Sequence, residues 1–378
     1  MNLPYSRQMI GEDDIRAVAK VLRSPFLTQG PAVKEFENTL AKYAGARYCV
    51  AFSNGTAALH GAYFAAGFAK GDEVIVPALT FAATGNAALY LGAKPVFADI
   101  DASSGNIDVE DASRKITKRT KGIVAVDYAG LPADLHSVRS LAKKRELVFI
   151  EDAAQGLGAS YKGRKLGTQA DMTMFSFHPV KSITTGEGGA ILTNSKAYFD
   201  KLLVFRTHGL TRDPKKLKAT SHAAWHQEMQ LLGYNYRLTD IQAALGMSQM
   251  KKLDRFVKAR RVAARRYFDL LEDVPGIALP PRASLENSAW HLFVVRVAPH
   301  LRDKVFVALR EAGIGVQVHY LPVYLHPYYR SLGYPEGLCP HTEEFSASCI
   351  SIPLFPHITP KEQMFVVHTL RDILTKYL

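Results

Sequence analysis

The 378-residue chain is poor in cysteine and tryptophan, with three and two respectively, and short of acid relative to base. Cys49, Cys339 and Cys349 are odd in number and widely spaced. That argues against a disulfide framework and for a reducing, cytoplasmic compartment. Cys339, His341, Cys349 and His357 fit no zinc signature, so no metal centre is expected. The N-terminus, "MNLPYSRQMIGEDDIRAV", has no apolar core of a signal peptide. Two long uncharged runs, 48–69 and 74–93, carry Asn, Thr and Gly and read as buried strand–helix units rather than membrane spans. The acidic deficit, 35 against 47 basic side chains, gives a net charge of +12. It favours an anionic partner: nucleic acid, a membrane surface or a small phosphorylated ligand.

What is present is alternation. Apolar, β-rich runs at 48–52, 73–76, 95–98, 122–126, 147–150, 172–177 and 190–192 are separated by helical patterns at 56–68, 81–91 and 135–144. This predicts an α/β fold: a mainly parallel sheet covered by helices on both faces, with ligands beyond the carboxyl ends of the strands. Past Leu238 the pattern changes. Residues 240–271 read as one long helix, straight or bent, with a basic face that includes Lys251, Lys252, Arg255 and Arg260. No recognition motif or interleaved aromatics accompany that face, so a solvated surface is expected and nucleic acid is not. "AWHLFVVRV", a helix at 301–312 and a strand at 315–319 suggest a smaller C-terminal α/β unit.

Several stretches fall at strand ends. "SNGTAAL" (53–59) leaves a strand and opens a helix, and Gly55, the Thr56 hydroxyl and the free helical N–H groups suit a phosphate. The plainer reading is a helix cap. Phe81, in "ALTFAAT", is placed to stack on a flat ring or to join the core. "IEDAAQGLG" puts Glu151 and Asp152 after an apolar run, where a buried carboxylate needs a partner: a pyridinium N–H, an arginine or a helix N-terminus. Its Gly156-x-Gly158 is no dinucleotide fingerprint, since Tyr161 occupies the third position. "FSFHPVKSITTGEGG" supplies Ser176, His178 and Lys181 but no Walker pattern. A lysine desolvated at a sheet mouth loses proton affinity and becomes able to form a Schiff base. Phosphate cup, aromatic, acid and lysine together meet the demands of pyridoxal 5′-phosphate.

On these motifs, and on "FLTQGPAVKEFE", "GYNYRLTDIQAALG" and "VQVHYLPVYLHPYY", the chain resembles the fold-type-I, pyridoxal-phosphate-dependent nucleotide-sugar aminotransferases of the DegT/StrS-like family over nearly its whole length. Within that family it is most similar to the branch that aminates C4 of a UDP-linked 4-keto-6-deoxy-N-acetyl hexosamine of the L-altro series, a step towards pseudaminic acid. The resemblance implies a large cofactor-binding domain with an N-terminal arm (1–250) and a small C-terminal domain (251–378). It implies that Lys181 carries the cofactor, Asp152 pairs with the ring nitrogen, Gln155 lies near the ring hydroxyl, and Phe81 stacks on the ring. Gly55, Thr56 and Ser176 would hold the phosphate, joined by Asn235 of a second subunit, so a homodimer with shared sites is implied. Tyr5, Phe26, Leu27, Thr28, His178, Arg237 and the run Gln317, Val318, His319, Tyr320 match positions that bind the sugar nucleotide, with Gly55, Ser176 and Asn235 lying beside it. L-Glutamate is the implied donor, leaving 2-oxoglutarate and pyridoxamine 5′-phosphate. Where many relatives have His after "EDAA", this chain has Gln155, which can still donate to the ring oxygen. Lys181 is retained, and His in its place would turn the chemistry toward dehydration. Rival readings are an aminotransferase for another 4-keto or 3-keto UDP- or dTDP-sugar, and a non-catalytic sensor.

Overall fold

The structure, a computed structural model, describes residues 2–218 and 223–377. Seven strands form the central sheet: β1 (Tyr48–Phe52), β2 (Glu73–Pro77), β3 (Lys94–Ala98), β4 (Thr120–Val126), β5 (Val148–Asp152), β6 (Met172–Ser176) and β7 (Gly189–Thr193). Their order is β1-β7-β6-β5-β4-β2-β3, and β7 alone runs against the rest.

Period-two alternation along these strands feeds two cores. Ala51, Ile75, Ile123, Ala125 and Phe149 point to one face, and Val50, Phe52, Val74, Val76, Val124 and Ile150 to the other. Both faces are dry, so the strands read as continuous apolar runs rather than alternating ones. The first face is covered by α2 (Pro31–Ala44) and α5 (Leu135–Lys144). The second is covered by α3 (Gly55–Ala66), α4 (Ala82–Leu89) and α6 (Lys196–Phe205). The helix Glu12–Leu22, α1, precedes them in the chain.

A third core gathers Leu3, the buried face of a helix at Leu253–Leu271, the antiparallel pair Phe293–Arg296 and Cys349–Ile352, and the helices Pro299–Glu311 and Pro360–Tyr377. Among the described residues no helix is long and apolar enough to cross a membrane.

The C-terminal half corrects three expectations. The single helix expected over 240–271 is two, Asp240–Met250 and Leu253–Leu271. At the break, Lys252 turns inward and pairs with Asp13 at 2.6 Å and Asp14 at 2.7 Å, both on the Glu12–Leu22 helix. The basic face is also not wholly solvated. Arg260 is 1% exposed and lies on the buried stripe with Phe256, Val257, Ala263, Ala264 and Tyr267. The strand expected at 315–319 is not formed. Ile314 pairs with Leu3 of the N-terminal arm and Gln317 with Ser351, each as an isolated bridge. The strand that partners Phe293–Arg296 is Cys349–Ile352 instead.

Candidate active site

The carboxyl ends of β1, β2, β4, β5 and β6 open on one edge of the sheet, and the chemistry-bearing loops leave from there. Asp152 closes β5 and is 4% exposed. Its Oδ2 accepts the Thr84 hydroxyl at 2.7 Å and its Oδ1 the Ala154 N–H at 3.2 Å. Burial raises its carboxyl pKa, against the opposing pull of Thr84, Ala154 and the Lys181 charge.

Lys181 follows β6 in a turn whose backbone N–H bonds the His178 carbonyl at 2.9 Å. Burial lowers its amine to about 8, although the nearby Asp152 carboxylate favours the charged form. A large share of this amine is therefore neutral and nucleophilic near physiological pH.

The cup lies beside it. Asn54 caps α3 by accepting the Ala57 N–H at 2.8 Å, which leaves the Gly55 and Thr56 amides at the open, positive end of the helix. A Cβ added at Gly55 would lie 3.1 Å from Ser176 Cβ and 3.2 Å from its Oγ. A side chain there would crowd Ser176, so glycine leaves the space between the helix end and the Ser176 hydroxyl open. Phe81, just before α4, is 61% exposed although Leu79 and Ala83, two positions to either side, are core. An aromatic ring left bare at a strand end offers a platform for a planar ligand.

The wall comes from the C-terminal half. The Tyr320 ring sits 6.0 Å from Phe81, His319 4.8 Å from Tyr320, and Tyr5 of the arm 5.8 Å from His319. Gln155 links wall to floor: its Oε1 accepts the Ala129 N–H at 2.7 Å and its Nε2 donates to the Tyr320 hydroxyl at 2.8 Å. One Gln155 hydrogen is thus already committed to Tyr320. Val318 packs under the wall and Gln317 is exposed, held by its backbone to Ser351. His178 is exposed at the rim. Burial and the Lys181 charge lower His319 to about 4, so it stands there as a neutral imidazole.

Phe26, Leu27, Thr28 and Asn235 are exposed and Arg237 is half-buried, and no described contact joins them to Lys181. Asp240 organises the first three. Its N–H donates to the Leu27 carbonyl at 3.0 Å, and its carboxylate accepts the Gly30 and Ala32 amides at 2.8 and 2.9 Å. Phe26 and Leu27 are thereby held exposed at 53% and 47%. Arg237 lines a cavity of about 480 Å³ together with Gln29, Arg47 and Arg206.

Sequence reasoning missed Thr84, Asp240, Tyr128 and Arg260. Thr84 ends the very stretch that singled out Phe81, three positions along the same helix start. Asp240 sits inside the Thr239–Gln242 capping box, a legible signal. Tyr128 donates its hydroxyl to the His319 carbonyl. Arg260 donates to the Val180, Trp290, His291 and Leu354 carbonyls, tying the lysine turn to the third core.

The fit to pyridoxal phosphate rests on this donor set: a desolvated amine, a buried carboxylate, an open helix end kept clear by Gly55, and a bare ring. Comparison with known proteins agrees. A curated relative of 38% identity, spanning 99% of this chain and 98% of its own length, is the UDP-4-amino-4,6-dideoxy-N-acetyl-beta-L-altrosamine transaminase of Campylobacter jejuni subsp. jejuni serotype O:2. Another, at 37% over 98% of this chain and 97% of its own, is the spore coat polysaccharide biosynthesis protein SpsC of Bacillus subtilis. Among solved structures, Helicobacter pylori PseC, an aminotransferase involved in the biosynthesis of pseudoaminic acid, superposes with a TM-score of 0.92 at 32% identity over 100% of both chains. The putative sugar aminotransferase Spr1654 of Streptococcus pneumoniae, solved in PLP and PMP forms, gives 0.93 at 30% identity over 100% of both chains. With residues 8–371 matching its profile, the chain belongs to the DegT/DnrJ/EryC1/StrS aminotransferase family, whose enzymes work with pyridoxal phosphate.

Proposed function

We propose that this sugar aminotransferase moves an amino group from L-glutamate to C4 of a UDP-linked 4-keto-6-deoxy-N-acetyl hexosamine of the L-altro series, in the cytoplasm, as a homodimer with shared sites. The observation that carries the aminotransferase chemistry is the Lys181 amine, lowered to about 8 beside the buried Asp152 carboxylate. Bound pyridoxal phosphate supplies an electron sink for the carbanion left when a proton departs the carbon bearing nitrogen.

The chain's own residues do the rest. Asp152, held by Thr84 and Ala154, would keep the ring nitrogen protonated. Gly55, Thr56 and Ser176 would hold the phosphate, and Phe81 would support the ring. Lys181 Nζ would hold the cofactor aldehyde and, as a free amine, would take up and return the proton of the donor α-carbon. Tyr5, His178 and the run Gln317, Val318, His319, Tyr320 form the sugar side of the cleft. Phe26, Leu27, Thr28, Asn235 and Arg237 belong to the neighbouring subunit's site. This arrangement is supported by their exposure and their separation from their own Lys181. Trp225, Met229 and Leu232, at 76%, 66% and 76% exposed, supply further apolar surface for that partner.

The choice of sugar rests on the altrosamine transaminase and PseC likenesses. SpsC, of nearly equal identity, is named for spore coat polysaccharide biosynthesis, which favours keeping another 4-keto or 3-keto nucleotide sugar as the second reading. Incubating purified enzyme and glutamate with a panel of UDP- and dTDP-keto sugars separates them. The proposal expects 2-oxoglutarate and a C4 amine from the L-altro UDP-sugar. Turnover confined to a different sugar selects the second reading, and no turnover with any refutes both.

A further inference from the structure

Two buried carboxyls have no part in the mechanism above. Asp127, just past β4, and Glu151, in β5, are both 0% exposed. The β4–β5 register pairs Ala125 with Glu151, so Glu151 and Asp127 point to the same face of the sheet, and Asp152 points to the opposite one. The Asp127 N–H bonds the Asp152 carbonyl at 3.1 Å, fixing the two strand ends together. Asp127 Oδ1 accepts the Ala133 N–H at 3.1 Å, and Glu151 Oε2 accepts the Thr173 hydroxyl at 2.7 Å. The other oxygen of each, Asp127 Oδ2 and Glu151 Oε1, meets no donor from any other described group, yet the two side chains lie within hydrogen-bond reach of each other.

No described basic side chain forms an ion pair with either. Arg139, whose charge reaches Glu151, is bonded to Asp171 and the Gln169 carbonyl. The other charge facing them is Asp152, of the same sign. Two adjacent ionised carboxylates in this dry setting would repel without compensation, and one proton between Oδ2 and Oε1 satisfies both orphaned atoms at once. Burial raises both groups; the Glu151 charge raises Asp127 further, while the hydrogen bond with Asp127 favours the Glu151 charge, which puts the proton of the pair on Asp127. Gly156 is part of the arrangement: a Cβ there would sit 2.7 Å from Asp127 Oδ2.

We propose that Asp127 and Glu151 share a single proton and act as a positioning pair for Asp152, setting one fixed negative charge behind it that tightens its hold on the protonated ring nitrogen. The functional half of this rests on the proposed cofactor role of Asp152; the shared proton does not. One charge across the thickness of the sheet changes the ring nitrogen's proton affinity by about tenfold.

Single amides are informative because each replaces the protonated partner with a permanent donor. Asp127→Asn and Glu151→Gln each keep one charge and one hydrogen bond, so cofactor retention should stay within about twofold of wild type. The double variant loses the charge. Infrared difference spectra of the cofactor-free protein at neutral pH should show a protonated-carboxyl C=O band that disappears in each single variant. With ¹⁵N-labelled pyridoxal phosphate, the ring-nitrogen shift should match wild type in the singles and move toward neutral pyridine in the double. Absence of the infrared band in wild type, or its survival in both singles, overturns the shared proton. A double variant with a wild-type nitrogen shift overturns the positioning role. Should the double amide not fold, Asp127→Leu with Glu151→Met replaces the pair by apolar groups and reads the same shift. If the protein shows the band but binds no cofactor at Lys181, the functional reading fails while the proton pair stands.

Discussion

The Lys181 amine gives the sharpest test of the site, because its ionisation controls how fast the protein captures its cofactor. An ordinary lysine, near 10.4, is neutral in about one molecule per thousand at about pH 7.5. An amine lowered to about 8 is neutral in roughly a quarter of molecules there, a gain of about 200-fold in reactive species. Capture of pyridoxal phosphate by the cofactor-free protein should therefore rise with pH only to about 8 and then level off. Stopped-flow absorbance in amine-free buffers from about pH 6.5 to about pH 10 reads this directly. A rate that keeps climbing tenfold per pH step through about pH 9.5 would refute the argument, since it would mean that Lys181 is solvated. Asp152→Asn supplies the internal control. The Asp152 charge favours the protonated amine, so its removal should move the plateau to lower pH. The same shift has a stability consequence of fixed sign. The folded-state pKa lies below the unfolded one, so between about 8 and about 10.4 the unfolded chain binds the extra proton and stability rises with pH. Below that window the folded protein carries the full penalty, and Lys181→Met should stabilise the cofactor-free protein at neutral pH by up to about 3 kcal/mol. Denaturant melts at about pH 7 and about pH 10 check both halves.

Phe81→Ala removes a ring that is 61% exposed, so melting should shift little, while cofactor dissociation measured by dialysis should quicken by about three- to tenfold. Asp240→Ala leaves the Gly30 and Ala32 amides without their acceptor, and should cost about 2 kcal/mol and raise KM for the sugar nucleotide more than it lowers kcat. Shared sites predict complementation. Lys181→Ala and Asn235→Ala proteins, each inactive or crippled alone, should regain activity on refolding together, because a hybrid dimer carries one intact site. No recovery in proven hybrids would place Asn235 in its own protomer's site.

The sheet was legible because it is buried on both faces. Short apolar runs such as Val74–Val76 within Glu73–Pro77 and Ile123–Val126 within Thr120–Val126 have few alternatives once Gly and Asp close them. The site was legible for a related reason. Chemistry sits at strand ends, so a carboxylate after "VFIE" or a lysine after "FSFHPV" is conspicuous against the apolar run that precedes it. Features set by distant partners were hidden. The break at Lys252 depends on Asp13 and Asp14, more than two hundred residues away. Nothing in "QMKKLDRF" departs from helical propensity, so no local rule marks it. The stretch 315–319 has strand composition, but its neighbours are Leu3 and Ser351, and that geometry permits only single bridges.

Arg260 shows a different failure, of weighting rather than of information. The stripe Phe256, Arg260, Ala263, Tyr267 and Leu271 advances by three or four residues at each step, so helical spacing alone assigns Arg260 to the buried side. Composition said otherwise, because arginine is rarely buried without an acid. Four carbonyls resolve the conflict, and they become available only where the lysine turn, the 290 segment and Leu354 converge. Asp127 and Glu151 present the same logic with the opposite charge. Each is a polar residue where the pattern demands an apolar one, and each is tolerated because another strand delivers its partner. In both cases the violation of the apolar pattern falls next to the candidate catalytic groups. The charged residues on the dry side of Leu253–Leu271 and of β5 thus brace the segments that carry Lys181 and Asp152.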